Sequence, residues 1–77
     1  MKQTQYFTYT RNRPDRKIIK LNWIENVITN PIKTVRQSDG RVRKWGYIEE
    51  VNKYLRVILL EDEETVHNAF FDRSFKK

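Results

Sequence analysis

The apolar positions concentrate in one run, Tyr54-Leu55-Arg56-Val57-Ile58-Leu59-Leu60, which is rich in β-favouring side chains and ends abruptly at Glu61-Asp62-Glu63-Glu64. The run is too short to cross a bilayer as a helix and is bounded by a turn-like acidic cluster, so it predicts a central strand. Upstream, Trp23, Ile24, Val27 and Ile28 recur at helical spacing and form a single stripe, with Ile19 or Leu21 placed to staple its start. Asn22 followed by Glu25 three residues on reads as an N-cap and capping box, and Asn30-Pro31 ends the helix. Pro14-Asp15 suits the first turn of a shorter helix running to about Ile19.

Alternation then takes over. Lys33 to Gln37 reads as a strand, Ser38-Asp39-Gly40 as a tight turn, and Arg41 to Ile48 as the returning strand. Glu49 to Lys53 turns the chain into the central strand, and Thr65 to Phe71 forms the last one. Gln3 to Thr10 carries β-branched and aromatic residues and reads either as an extra N-terminal edge strand or as an arm anchored by Tyr6. The expected fold is α+β: one domain over residues 1–77, with two short helices on one face of a four-stranded antiparallel meander. With the acidic turn centred on Asp62-Glu63, Leu59 pairs with Val66, Ile58 with His67, Val57 with Asn68 and Leu55 with Phe70. Pairing Ile48 with Tyr54 adds Trp45 and Tyr47 to the apolar face beneath the helices and puts Lys44 beside His67 on the other. A slip of one residue exchanges the two sets.

A chain of 77 residues without cysteine has neither disulfides nor thiolate metal sites to stabilise its small core, which suits a reducing compartment. The first ten residues lack the apolar stretch of a leader or anchor, and a cytoplasmic protein without membrane attachment is expected. Charge changes the picture more than size does. Residues 1–44 hold eleven Lys or Arg against three acids, whereas residues 45–77 hold five against seven. A basic first half favours an anionic partner, with RNA the leading candidate and a solvated basic surface the alternative.

The remaining chemistry is cationic, phenolic and imidazole. Tyr54, Arg56 and His67, with Lys44 and Arg73 nearby, suit metal-independent cleavage of RNA through its 2′-hydroxyl, where a base, an acid and positive charge on phosphorus are needed. Arg56 interrupts an apolar strand, and its guanidinium requires water, a carboxylate or a phosphate. His67 is the single histidine. It is a poor metal site alone, and it fits equally a strand histidine satisfied by its neighbours. No metal or cofactor is expected. Arg11, Arg13, Arg16 and Lys17 form a basic ridge suited to phosphate contacts, and Trp45 and Tyr47 among Arg41, Arg43 and Lys44 form a mixture able to stack bases.

The element order, with Arg13-Pro14-Asp15-Arg16, Ile28-Thr29-Asn30-Pro31, Gly40-Arg41-Val42-Arg43-Lys44-Trp45-Gly46-Tyr47, Tyr54-Leu55-Arg56-Val57 and Thr65 to Arg73, resembles a group of small bacterial proteins. Those in turn resemble the BrnT and RelE/ParE toxins of type II toxin-antitoxin pairs. The resemblance implies helices packed on an antiparallel sheet, an RNA-binding toxin-like domain or endoribonuclease, and a small antitoxin protein covering the site. It carries over Arg13, Arg16, Arg56 and His67 as site residues. Tyr9-Thr10-Arg11-Asn12-Arg13 lacks the histidine with which related small domains often open. The alternative is a non-catalytic module that binds nucleic acid or protein through the same basic surface.

Overall fold

The computed structural model describes residues 2–75. Three helices, α1 (Gln5–Thr10), α2 (Pro14–Lys17) and α3 (Leu21–Thr29), precede four strands, β1 (Lys33–Arg36), β2 (Val42–Ile48), β3 (Lys53–Leu59) and β4 (Val66–Phe71). The strands form one antiparallel sheet in the order β1-β2-β3-β4, an α+β arrangement with β3 central as expected.

The N-terminal segment divides differently from its β-favouring composition. Lys2 and Thr4 bond to Val66 and place Gln3 in a short parallel bridge on the edge of β4, after which the chain turns into α1. Thr4 caps that helix, its hydroxyl accepting from the Phe7 amide at 3.1 Å. Phe7 and Thr10, three residues apart, are the two buried positions of α1, so tertiary burial at helical spacing overrides strand propensity.

In α3 the N-cap is Lys20, without a side-chain cap, and Asn22 lies exposed in the first turn. The expected capping box does not form. Burial of Trp23, Ile24 and Val27 sets the phase of the helix instead. These residues and Phe7 meet Val42, Ile48, Leu55, Val57, Leu59, Val66 and Ala69 in the core, with Ile28 packed at its margin. Gly46 lets α3 approach β2 closely, since a Cβ built there would lie 2.7 Å from Val27 Cγ2.

The register differs from expectation by one residue on both sides of β3. Tyr47 pairs with Tyr54 and Ile48 with Lys53, so Val42, Lys44, Gly46 and Ile48 share the helix-covered face, while Arg43, Trp45 and Tyr47 stand on the open face beside Ile58, Arg56 and Tyr54. The turn causes the shift: Asn52 adopts φ 53° and lets Glu49 to Asn52 close so that Lys53 already belongs to the strand. Toward β4, Leu59 pairs with Val66 as expected, but Ile58 then meets Asn68, Val57 meets Ala69 and Leu55 meets Phe71. His67 is the extra residue of this irregularity, a bulge that sends every later side chain of β4 to the opposite face from the one expected.

Candidate nucleic-acid interface

The open face is a second packed layer. Arg56 reaches from β3 to Asp72 just past the end of β4, donating to Oδ2 from Nη2 at 2.6 Å and from Nε at 3.0 Å. Trp45 Nε1 donates to the same oxygen at 2.9 Å. The other carboxylate oxygen accepts from the Ser74 amide at 3.0 Å and the Ser74 hydroxyl at 2.8 Å. Burial alone would raise the Asp72 pKa, but the hydrogen bonds from Trp45, Arg56 and Ser74 outweigh it and hold the carboxyl below the ordinary carboxylate range. Asp72 is 8% exposed and Trp45 6%.

The Ser74 hook turns the chain back over the sheet. Phe75 stacks on Trp45 with ring centroids 5.2 Å apart and tilts against Tyr54 at 4.9 Å, and Tyr54 meets Tyr47 at 5.1 Å. The Arg56 guanidinium lies 5.6 Å from the Trp45 ring and 4.9 Å from Phe70. Trp45 is therefore not beneath the helices, where its size suggested it. It anchors the opposite side of the sheet, and Phe75 docks upon it, although the sequence of Ser74 to Lys77 reads as a frayed basic tail; Lys76 and Lys77 lie outside the described residues.

The candidate catalytic residues separate into two environments. Arg56 and Tyr54 belong to the aromatic layer around Asp72. His67 sits in the bulge, its ring stacked on Tyr6 at 5.0 Å and its Nδ1 3.2 Å from the Thr4 hydroxyl. Burial first, and the charge of Arg41 second, lower its pKa from the ordinary 6.5. Each of the two residues is engaged by protein groups of its own, in place of the single ligand expected to join them.

The candidate nucleic-acid contacts divide similarly. Lys44 is on the helix-covered face, where Nζ donates to Ile28 O at 3.1 Å near the C-terminal end of α3. Arg16 leans over the rim of β4, donating to Asn68 Oδ1 at 2.8 Å and Ala69 O at 3.2 Å, with its guanidinium 5.3 Å from the Phe70 ring. Arg11 contacts Gln3 Oε1 at 3.4 Å, and Arg13 is exposed where α2 begins. Arg73 is exposed beside Asp72 and lines the same cleft as Arg16. No metal-binding group of His, Cys, Asp or Glu occurs among the described residues.

Sequence reasoning gave no role to Asp72 or Phe75 and set Phe70 opposite Leu55, whereas Phe70 pairs with Arg56 on the open face. The spacing Asp72-Arg73-Ser74 carried a signal, since aspartate commonly bonds to the backbone two residues on and closes a turn. What remains uncovered on the open face is a row of cations and apolar groups: Lys33 and Val35 on β1, Arg41 and Arg43 along β2, Ile58 on β3, and Tyr47, 41% exposed. Among the described residues, Lys33 and Arg43 enter no ion pair, and Arg41 meets only Asp39, at 4.0 Å within its own turn. Comparison with protein families, with curated proteins and with solved structures yields no match to this chain.

Proposed function

We propose that this domain binds single-stranded RNA across the open face of its sheet, as a binding module rather than a nuclease. The observation that carries the reading is the row Lys33, Arg41 and Arg43, cations interleaved with Val35, Ile58 and Tyr47, on a face where Asp72 is committed to Arg56 and acidic side chains lie only at the Arg41 end, with Asp39, Glu61 and Asp62. Positive charge follows a phosphate backbone, and flat apolar groups between the charges accept bases without demanding a sequence. Binding is favoured over cleavage because the groups a cleavage reaction needs are occupied: Arg56 by Asp72, and His67 by Thr4 and Tyr6. The reading places the protein in the cytoplasm, where RNA is at hand.

The test is anisotropy of a labelled 5′-hydroxyl RNA oligomer across a salt series. Three neutralised phosphates give a log–log slope of about −2 on a single strand, and Lys33→Glu with Arg43→Glu should abolish most of it. Undetectable or salt-independent binding would overturn the proposal. Oligomer shortened by the wild-type chain but intact with Arg56→Ala would replace it with the toxin-like endoribonuclease, whose antitoxin would then be sought on the same face.

A further inference from the structure

Arg16 and Arg73 stand far apart in sequence, yet both line one open cleft of about 360 Å³ at the rim of β4, joined by Lys53 from the start of β3. One of these cations is held in place. Arg16 is fixed by Asn68 and the Ala69 carbonyl, and Lys53 Nζ lies 5.2 Å from the Phe71 ring. Arg73 follows the anchored Asp72 and makes no hydrogen bond or ion pair of its own among the described residues. The single carboxylate in the cleft, Asp15, is 3.5 Å from Arg16 Nε, with a side chain 71% exposed. Positive charge thus exceeds negative in a small concavity built from three elements, and an anion relieves the repulsion.

The same cleft has an apolar wall. Phe70 and Phe71 contribute to it, and Ile18 stands at its lip, 56% exposed. A bare inorganic anion has no use for that wall, whereas a phosphate carrying a flat heterocycle uses both parts. An adjoining cleft of about 290 Å³ shares Lys53, Phe71 and Arg73 and continues past Tyr54 to Phe75. We infer that this cleft binds a nucleoside phosphate, with Arg16, Lys53 and Arg73 on the phosphate and the base against Ile18 at the apolar lip. The ligand is either a free nucleotide or the phosphorylated end of a strand; only the second source rests on the RNA reading.

Titration of the ¹⁵N-labelled full chain with uridine and adenosine monophosphates tests it. The amides of Phe70, Phe71 and Arg73 should shift, uridine and inorganic phosphate should each bind about tenfold more weakly, and Arg73→Ala should weaken the nucleotide by about tenfold. Tighter binding of a 5′-phosphorylated oligomer than of its 5′-hydroxyl counterpart identifies the strand end as the source. Equal binding of the two oligomers, with the nucleotide shifts retained, identifies the free nucleotide. The inference is overturned if about 10 mM nucleotide moves none of these amides, or if neither Arg73→Ala nor Lys53→Ala alters the shifts. Loss of the nucleotide shifts with salt-dependent binding of 5′-hydroxyl RNA intact removes the cleft alone; the converse removes only the open face.

Discussion

His67 is open to two readings in the sequence, a proton-transfer group beside Arg56 or a strand histidine satisfied by its neighbours. A lone histidine in a strand suggested satisfaction by neighbours, and the structure supplies them, but they are Thr4 and Tyr6 from the opposite end of the chain. Nothing local in the sequence links these positions. The ring's pKa is lowered, by burial before the Arg41 charge, so the unfolded chain takes up this proton at higher pH than the folded one. The contribution to stability is therefore complete above the ordinary 6.5 and is lost as the pH falls through the folded value. Urea midpoints should decline as the pH is lowered from about 7 to about 5, a window above most carboxylate titration, and His67→Gln should flatten that decline. A slope preserved in the variant would assign the dependence elsewhere. Arg56 gives the same lesson: its chemistry demanded a carboxylate, water or phosphate, and the carboxylate is Asp72.

At the level of elements, the strands and the long helix were legible because their periodicity comes from burial, which is also what orders them. Faces were less so. A turn one residue shorter than expected moves Trp45, Tyr47 and Lys44 across the sheet, and a bulge at His67 does the same to Phe70 and Phe71. Neither irregularity has an apolar signature, since both depend on backbone choices at Asn52 and beside Leu59. The docking of the segment after β4 was not legible for a related reason: Arg73-Ser74 is polar, and Phe75 alone does not announce a docking site. Its attachment depends on Asp72, which bonds to Arg56, Trp45 and Ser74 together. Asp72→Ala leaves a half-buried guanidinium and an indole N–H without their acceptor and should cost about 2–4 kcal/mol in urea unfolding, with Asp72→Asn costing less. A loss below about 0.5 kcal/mol would show that Phe75 holds the segment without the carboxylate.

The whole molecule has a sheet with two packed sides, an aliphatic core under α1 and α3 and a smaller aromatic layer under the C-terminal segment. A domain of this size has little core to spare, and using both faces of β2 and β3 increases what the sheet can bury. Each side holds one tryptophan. Trp23 sits on the helix side, donating from Nε1 to Glu50 at 3.0 Å, and Trp45 sits on the open side beneath Phe75. Because β2 and β3 contribute to both sides, losing either layer exposes the backbone bonds that hold the other, and the two should unfold as one unit. Single-tryptophan variants Trp23→Phe and Trp45→Phe allow each side to be followed separately. In each variant the fluorescence midpoint in urea should coincide with the midpoint by far-UV circular dichroism, even though the two variants differ in absolute stability. If Trp45, observed in Trp23→Phe, changes its fluorescence well before the dichroism is lost, the C-terminal layer opens locally on an intact sheet. Trp45 and Tyr54 would then be free to stack bases in the opened form, and the proposed RNA-binding surface would extend from Lys33 and Arg43 across the full width of β2 and β3.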